Sequence, residues 1–107
     1  MYPKGYSSLV YHLRQTDTFA KWLSGLRDAK AKARILARLE SARLGNLGDT
    51  RALRGGVREM RVHVGPGYRV YFAHRHGTVL LLCGGDKSSQ ARDIEHAKLM
   101  LAEIDKG

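Results

Sequence analysis

The chain has 107 residues, 43% of them hydrophobic, and carries 19 Lys and Arg against 10 Asp and Glu, for a net charge of +9 and a pI near 10.1. That length suits a single domain, 1–107, with one real core, and that apolar content excludes a disordered chain. The basic excess lies upstream of residue 88, because residues 88–107 hold three basic and four acidic side chains, and such a surface suits a polyanionic partner.

The single cysteine, Cys83, excludes an internal disulfide and fits a reducing cytoplasm. The run Val79–Cys83 spans only five apolar residues, so no membrane span is expected. The opening "MYPKGYSS" lacks the hydrophobic region of a signal peptide.

Leu9, Tyr11 and Leu13 alternate with Val10 and His12, which predicts a first strand. Thr16 or Asp17 then offers an N-cap, and Phe19, Trp22, Leu23 and Leu26 form the stripe of an amphipathic helix. Asp28 can cap a second helix with Ile35, Leu36 and Leu39 apolar and Gly45 as its stop. Its other side carries Lys30, Lys32, Arg34, Arg38 and Arg43, a pattern usual for a solvated helix face.

After the Gly-rich loop "GNLGDTRALRGG" comes "REMRVHVGPGYRVYF", which alternates, turns and alternates again. Period two places Met60, Val62, Val64, Tyr68, Val70 and Phe72 on a core face and Glu59, Arg61, His63, Arg69 and Tyr71 on the other. A three-residue Gly-Pro-Gly turn would set His63 opposite Arg69 and Arg61 opposite Tyr71. A four-residue turn, His74–Gly77, would then bring Arg69 beside Leu82 and Tyr71 beside Leu80, so that this polar face is partly covered. Glu59 with Arg61 could form a salt-bridged lattice, but His63 and Arg69 would still lack an anion, which a phosphate would supply. "GGDKSS" leads into a final helix capped by Ser88 or Ser89, with Ile94, Ala97, Leu101 and Ile104 on one side. The predicted order is β-α-α-β-β-β-α, an α+β fold with a mainly antiparallel sheet.

Other chemistry is weak. "GGDKSS" is not a nucleotide-triphosphate loop, since Asp86 precedes Lys87 and Leu81 stands where the first glycine belongs. His74 and His76 lie two apart in a predicted turn without further ligands, so no metal or other cofactor is expected. Cys83 ends an apolar strand and reads as packing.

The segments "TFAKWLSGLRD", "LRGGVREMRV", "GPGYRVYF" and "LLLCGGDKSSQARDIEHA" together resemble the RelE/ParE toxin superfamily, most closely its HigB-like branch of addiction-module killer proteins. The resemblance implies a toxin of a type II toxin–antitoxin system that inhibits translation by metal-independent cleavage of mRNA in the ribosomal A site. The ParE-like alternative is a non-enzymatic inhibitor of gyrase. Implied partners are a cognate antitoxin of helix-turn-helix type, the ribosome and mRNA, with no membrane. By position, Arg69 matches the family's phosphate-contacting arginine, Glu59 and Arg61 stand where a basic pair is common, and Lys87 matches a basic residue after the last strand. Asp93 falls near a tyrosine of RelE itself.

For such chemistry the RNA supplies its own nucleophile, the 2′-OH, and the protein must align it and stabilise charge. Arg69, Arg61 and Lys87 suit that role. His63 is suited to move a proton near neutrality, with Glu59 as the alternative base. Tyr71 could stack on a base, and Arg54, Arg58, Lys30, Lys32, Arg34, Arg38 and Asp93 complete the expected RNA-contacting set.

Overall fold

Side-chain caps start both N-terminal helices of the computed structural model, which describes residues 10–107. After β1 (His12–Gln15), Thr16 Oγ1 accepts from the Phe19 amide at 3.0 Å and opens α1 (Asp17–Ser24). Asp28 does the same for Ala31 at 3.0 Å and opens α2 (Ala29–Arg43). Gly45, at φ 97°, then takes the left-handed conformation that stops the helix. β2 (Thr50–Ala52), a 3₁₀ turn, β3 (Arg58–Val62), β4 (Tyr68–Arg75) and β5 (Thr78–Asp86) follow. A second 3₁₀ turn (Lys87–Ser89), capped by Asp86, leads into α3 (Gln90–Lys106), whose N-cap residue is Ser89 as expected but makes no side-chain cap bond. Asp86 Oδ1 accepts from the Ser88 amide at 2.8 Å, while the Ser89 hydroxyl accepts from the Asp86 amide at 3.4 Å.

The strands form one sheet in the order β1-β5-β4-β3-β2, with β1 parallel to β5 and every other pair antiparallel. This is the expected α+β architecture, with a short β2 and a parallel edge pairing that the sequence did not announce. Leu9, expected in the first strand, lies outside the described residues. On one face of the sheet, Phe19 of α1 and Ile35 and Leu39 of α2 pack against Met60, Val62, Val70 and Phe72. On the other, Ala97 and Leu101 of α3 cover Tyr71, Ala73, Leu82 and Cys83. Leu36 and Ile104, apolar members of the two helical stripes, are 48% and 44% exposed. Among the described residues no helix is long and apolar enough to cross a membrane.

The hairpin keeps its predicted faces but not its predicted pairs. Arg61 pairs with Arg69, Glu59 with Tyr71 and Val62 with Tyr68. The connection runs over five residues, 63–67, closed by amide bonds from Val64 to the Val62 carbonyl and from Gly67 to the Val64 carbonyl. Lengthening a turn by two shifts the register by two, which changes partners and leaves each side chain on its face.

The second turn contains only His76 and Gly77, at φ 49° and 77°, the paired positive values of a type I′ hairpin. Between Tyr71 and Phe72 the pairing steps from Cys83 to Leu81, so Leu82 is the extra residue of a β-bulge. Arg69 therefore faces Gly85 and Tyr71 faces Cys83, instead of Leu82 and Leu80.

Candidate active site

Glu59 anchors the polar face of the hairpin. It is fully buried, accepting from Arg51 Nε at 2.8 Å on one oxygen and from Gln90 Nε2 at 2.8 Å on the other. Arg69 Nε lies 3.6 Å from that second oxygen. The expected Glu59–Arg61 lattice does not form, because Arg51 of β2 and the first residue of α3 reach the carboxylate first. A buried carboxylate with both oxygens engaged is a fixed countercharge, not an accessible proton carrier.

Arg69 is held from two sides. Its terminal nitrogen donates to the Gly67 carbonyl at 2.9 Å, and its side chain is only 12% exposed. Gly67 takes φ 82°, and a Cβ there would stand 3.4 Å from that same nitrogen, so the turn closes tightly over the guanidinium. Arg61, His63, Gly67, Tyr68, Arg69 and Lys87 line a recess of about 270 Å³ at this end of the sheet. Arg61, Arg69 and Lys87 thus bring three cations to one notch.

Asp49, in the loop before β2, completes the rim. Its Oδ2 lies 2.6 Å from His63 Nε2, and its Oδ1 lies 3.6 Å from an Arg61 terminal nitrogen. The hydrogen bond with His63, followed by the Arg61 charge, holds the Asp49 carboxyl below its ordinary value against a smaller opposing cost of burial. His63 is therefore engaged at the rim, 72% exposed, rather than centred opposite Arg69. Arg38 fixes this loop by donating to the carbonyls of Arg61 and Leu47. A Cβ on Gly48 would meet its guanidinium at 2.7 Å.

The remaining sequence candidates separate clearly. Tyr71 is fully buried under α3 and cannot stack on a base; burial, then the Glu59 and Asp93 charges, raises its pKa. Arg58 lies on the opposite face, by strand alternation, and donates to Thr50 Oγ1 at 3.1 Å. Arg38 is a structural clamp rather than a free cation. Lys30 and Arg34 are exposed on α2 and Lys32 is half-buried there, away from the notch lining. Arg54 is exposed in the first 3₁₀ turn. Asp93 accepts from the Ser89 hydroxyl and lies against Gly85, while the Cys83 thiol points to the Asp93 carbonyl at 3.7 Å. Burial, then the Asp93 charge, pushes that thiol up to about 12, in keeping with a packing role. His74 packs edge-on against Tyr11 with ring centres 4.5 Å apart, and His76 occupies the turn.

Sequence reasoning missed Asp49, Arg51 and Gln90. Asp49 sits in a Gly-rich loop with no local pattern, and the other two reach Glu59 across 8 and 31 residues. The resulting notch can receive a compact anion, since forked and point cations converge on a recess whose deepest cation is already oriented.

A Haemophilus influenzae protein named only "Uncharacterized protein" is 44% identical over 97 residues, covering 90% of this chain and 98% of that one. The solution structure of the conserved hypothetical protein HP0894 from Helicobacter pylori has the same fold, with a TM-score of 0.53 and 21% identity over 74% of this chain and 97% of that one. A copper-bound mutant toxin from Helicobacter pylori aligns with a TM-score of 0.48 and 21% identity, over 75% of this chain and 98% of that one. Residues 21–106 match the family described as Phage derived protein Gp49-like (DUF891), and the chain belongs to that family.

Proposed function

We propose that this chain is the toxin of a type II toxin–antitoxin pair and acts as a ribosome-dependent mRNA endonuclease. The observation that carries the reading is Arg69, a nearly buried arginine oriented by Glu59 and the Gly67 carbonyl, with Arg61 and Lys87 beside it. A scissile phosphate seated there gains fixed positive charge where the transition state accumulates negative charge.

In this reaction the 2′ oxygen attacks phosphorus and the bond to the 5′ oxygen breaks. The products are a 2′,3′-cyclic phosphate and, as the leaving oxygen takes a proton from solvent, a 5′-OH. His63, held by Asp49 through Nε2, takes the proton from the 2′-OH as the general base of the step. Arg69 and Lys87 contact the non-bridging oxygens, and Arg61 holds the adjoining backbone. Glu59 fixes Arg69 rather than acting as a base.

The test is brief induction of the chain alone, followed by mapping of 5′ ends in cellular mRNA. New ends inside translated codons are expected. Intact mRNA accompanied by gyrase-dependent DNA breaks would replace this reading with inhibition of a protein target.

A further inference from the structure

The notch is only one of two unusual surfaces. Val10, Leu36, Leu44, Leu99 and Ile104 are the exposed large hydrophobic side chains among the described residues, and all of them surround β1. Val10 directly precedes the strand, and the Tyr11 amide bonds the Arg43 carbonyl at 2.8 Å, which brings Leu44 alongside. On the α1/α2 side, Leu36 joins Leu13 and Leu23 in a groove of about 220 Å³. On the α3 side, Ile104 joins Arg14 and Leu80 in a groove of about 470 Å³. Leu99 and Ile104 continue it past Thr16 in a further recess of about 440 Å³.

Among the described residues, the outer side of the strand between these grooves is open beyond Tyr11, whose amide is taken by Arg43. β1 pairs only with β5 among the described strands, and the His12 and Thr16 amides point to β5, bonding the Gly77 and Leu81 carbonyls. By alternation the Leu13 and Gln15 amides face outward. A strand edge flanked by apolar grooves on both faces is a template for an added strand, whose successive side chains enter one groove and then the other.

Charge decides the occupant. Arg14 lies exposed on this edge, and a second copy would bring another Arg14 and another net charge of +9 against it. Resting on the toxin reading above, we propose that the outer edge of β1 docks an extended segment of the antitoxin. Apolar residues in that segment alternate, with an acidic side chain placed against Arg14. None of the residues lining these grooves lines the notch, so the surface is distinct from it.

The experiment uses the full chain, free and in complex with the product of the adjacent antitoxin gene. Amide hydrogen exchange at Leu13 and Gln15 should be fast in the free chain and slow in the complex. Leu36→Asp and Arg14→Glu should keep wild-type toxicity, since neither lies in the notch. Leu36→Asp should weaken the complex by roughly 30-fold, the scale of losing one interface anchor. Arg14→Lys should retain binding that Arg14→Glu loses. Protection of both amides already in the free chain would show that the chain's own segment or a second copy occupies the edge, and would overturn the proposal. So would a complex that leaves both amides unprotected. Harmless induction of a folded protein would instead remove the toxin reading, and this assignment with it.

Discussion

A Cβ built on Gly85 would stand 1.9 Å from an Asp93 carboxylate oxygen and 2.7 Å from the Ser89 hydroxyl. The last strand therefore runs directly against the side chains that open α3, with no room for a Cβ. Gly85→Ala should push that first turn outward and destabilise the protein by about 1–3 kcal/mol, the range for overpacking a tight contact. Urea unfolding measures it, and an unchanged midpoint would refute the tight packing.

Arg69→Ala should stay folded, because Glu59 keeps its bonds from Arg51 and Gln90. Single-turnover cleavage of ribosome-bound mRNA should slow by roughly 10²–10³, the usual loss for one transition-state donor. Arg69→Lys should recover part of this, since a point charge cannot reproduce a forked contact. Wild-type cleavage by folded Arg69→Ala would remove the notch from the chemistry.

Glu59→Ala should be costlier to the fold than to any single contact around it. Removing a buried carboxylate leaves Arg69 without its countercharge, and losses of about 3 kcal/mol follow when one partner of a buried pair is deleted. The half-exposed Arg51 can turn to water, which holds the effect at the low end. Thermal unfolding checks this, and loss of activity without loss of stability would return Glu59 to a direct chemical role.

Tyr71→Phe tests the opposite expectation. The hydroxyl is buried with no hydrogen-bond partner among the described residues, so deleting it should leave stability unchanged or raised by up to about 1 kcal/mol. Ribosome affinity should not change. Weaker binding by a well-folded variant would contradict its placement beneath α3.

Asp86 should make α3 sensitive to acid. Its side-chain and backbone bonds to Ser88 hold its carboxyl below the ordinary 3.8. A depressed folded-state value stabilises the protein above that ordinary value, and the contribution disappears as pH falls through the lower one. Asp86→Ala should cost about 1 kcal/mol at neutral pH, the common cost of losing an N-cap. Its stability difference from the parent should shrink below pH 3.8. A difference constant down to pH 2 would argue against the cap.

The element types and the faces of the hairpin were legible because both follow from periodicity, which survives an error of two residues in turn length. Met60, Val62, Val70 and Phe72 are buried together as their alternation required. The pairing of Arg61 with Arg69 was not legible, since Gly65-Pro66-Gly67 fits turns of several lengths. Burial of Tyr71 depends on where α3 lands, and the partners of Glu59 depend on β2 and on Gln90. Nothing in the neighbourhood of Asp49 announces His63 or Arg61. Such long-range convergence belongs to topology, whereas local pattern reports only which side a residue takes.

The bulge at Leu82 has a consequence for how this sequence can change length. Val79 and Leu81 face α1 and α2, as does Gly84 beneath Trp22, whereas Leu80, Leu82, Cys83 and Gly85 face α3. Dropping Leu82 alone would restore strict alternation and return every other side chain of β5 to its present face. A one-residue gap in β4, or in β5 away from the bulge, would turn the following residues over, sending Arg69 into the core or Gly85 away from Asp93. Among divergent relatives, single-residue gaps in this hairpin should therefore collect at Leu82–Cys83, the bulge where the strand can lose length without inverting a face.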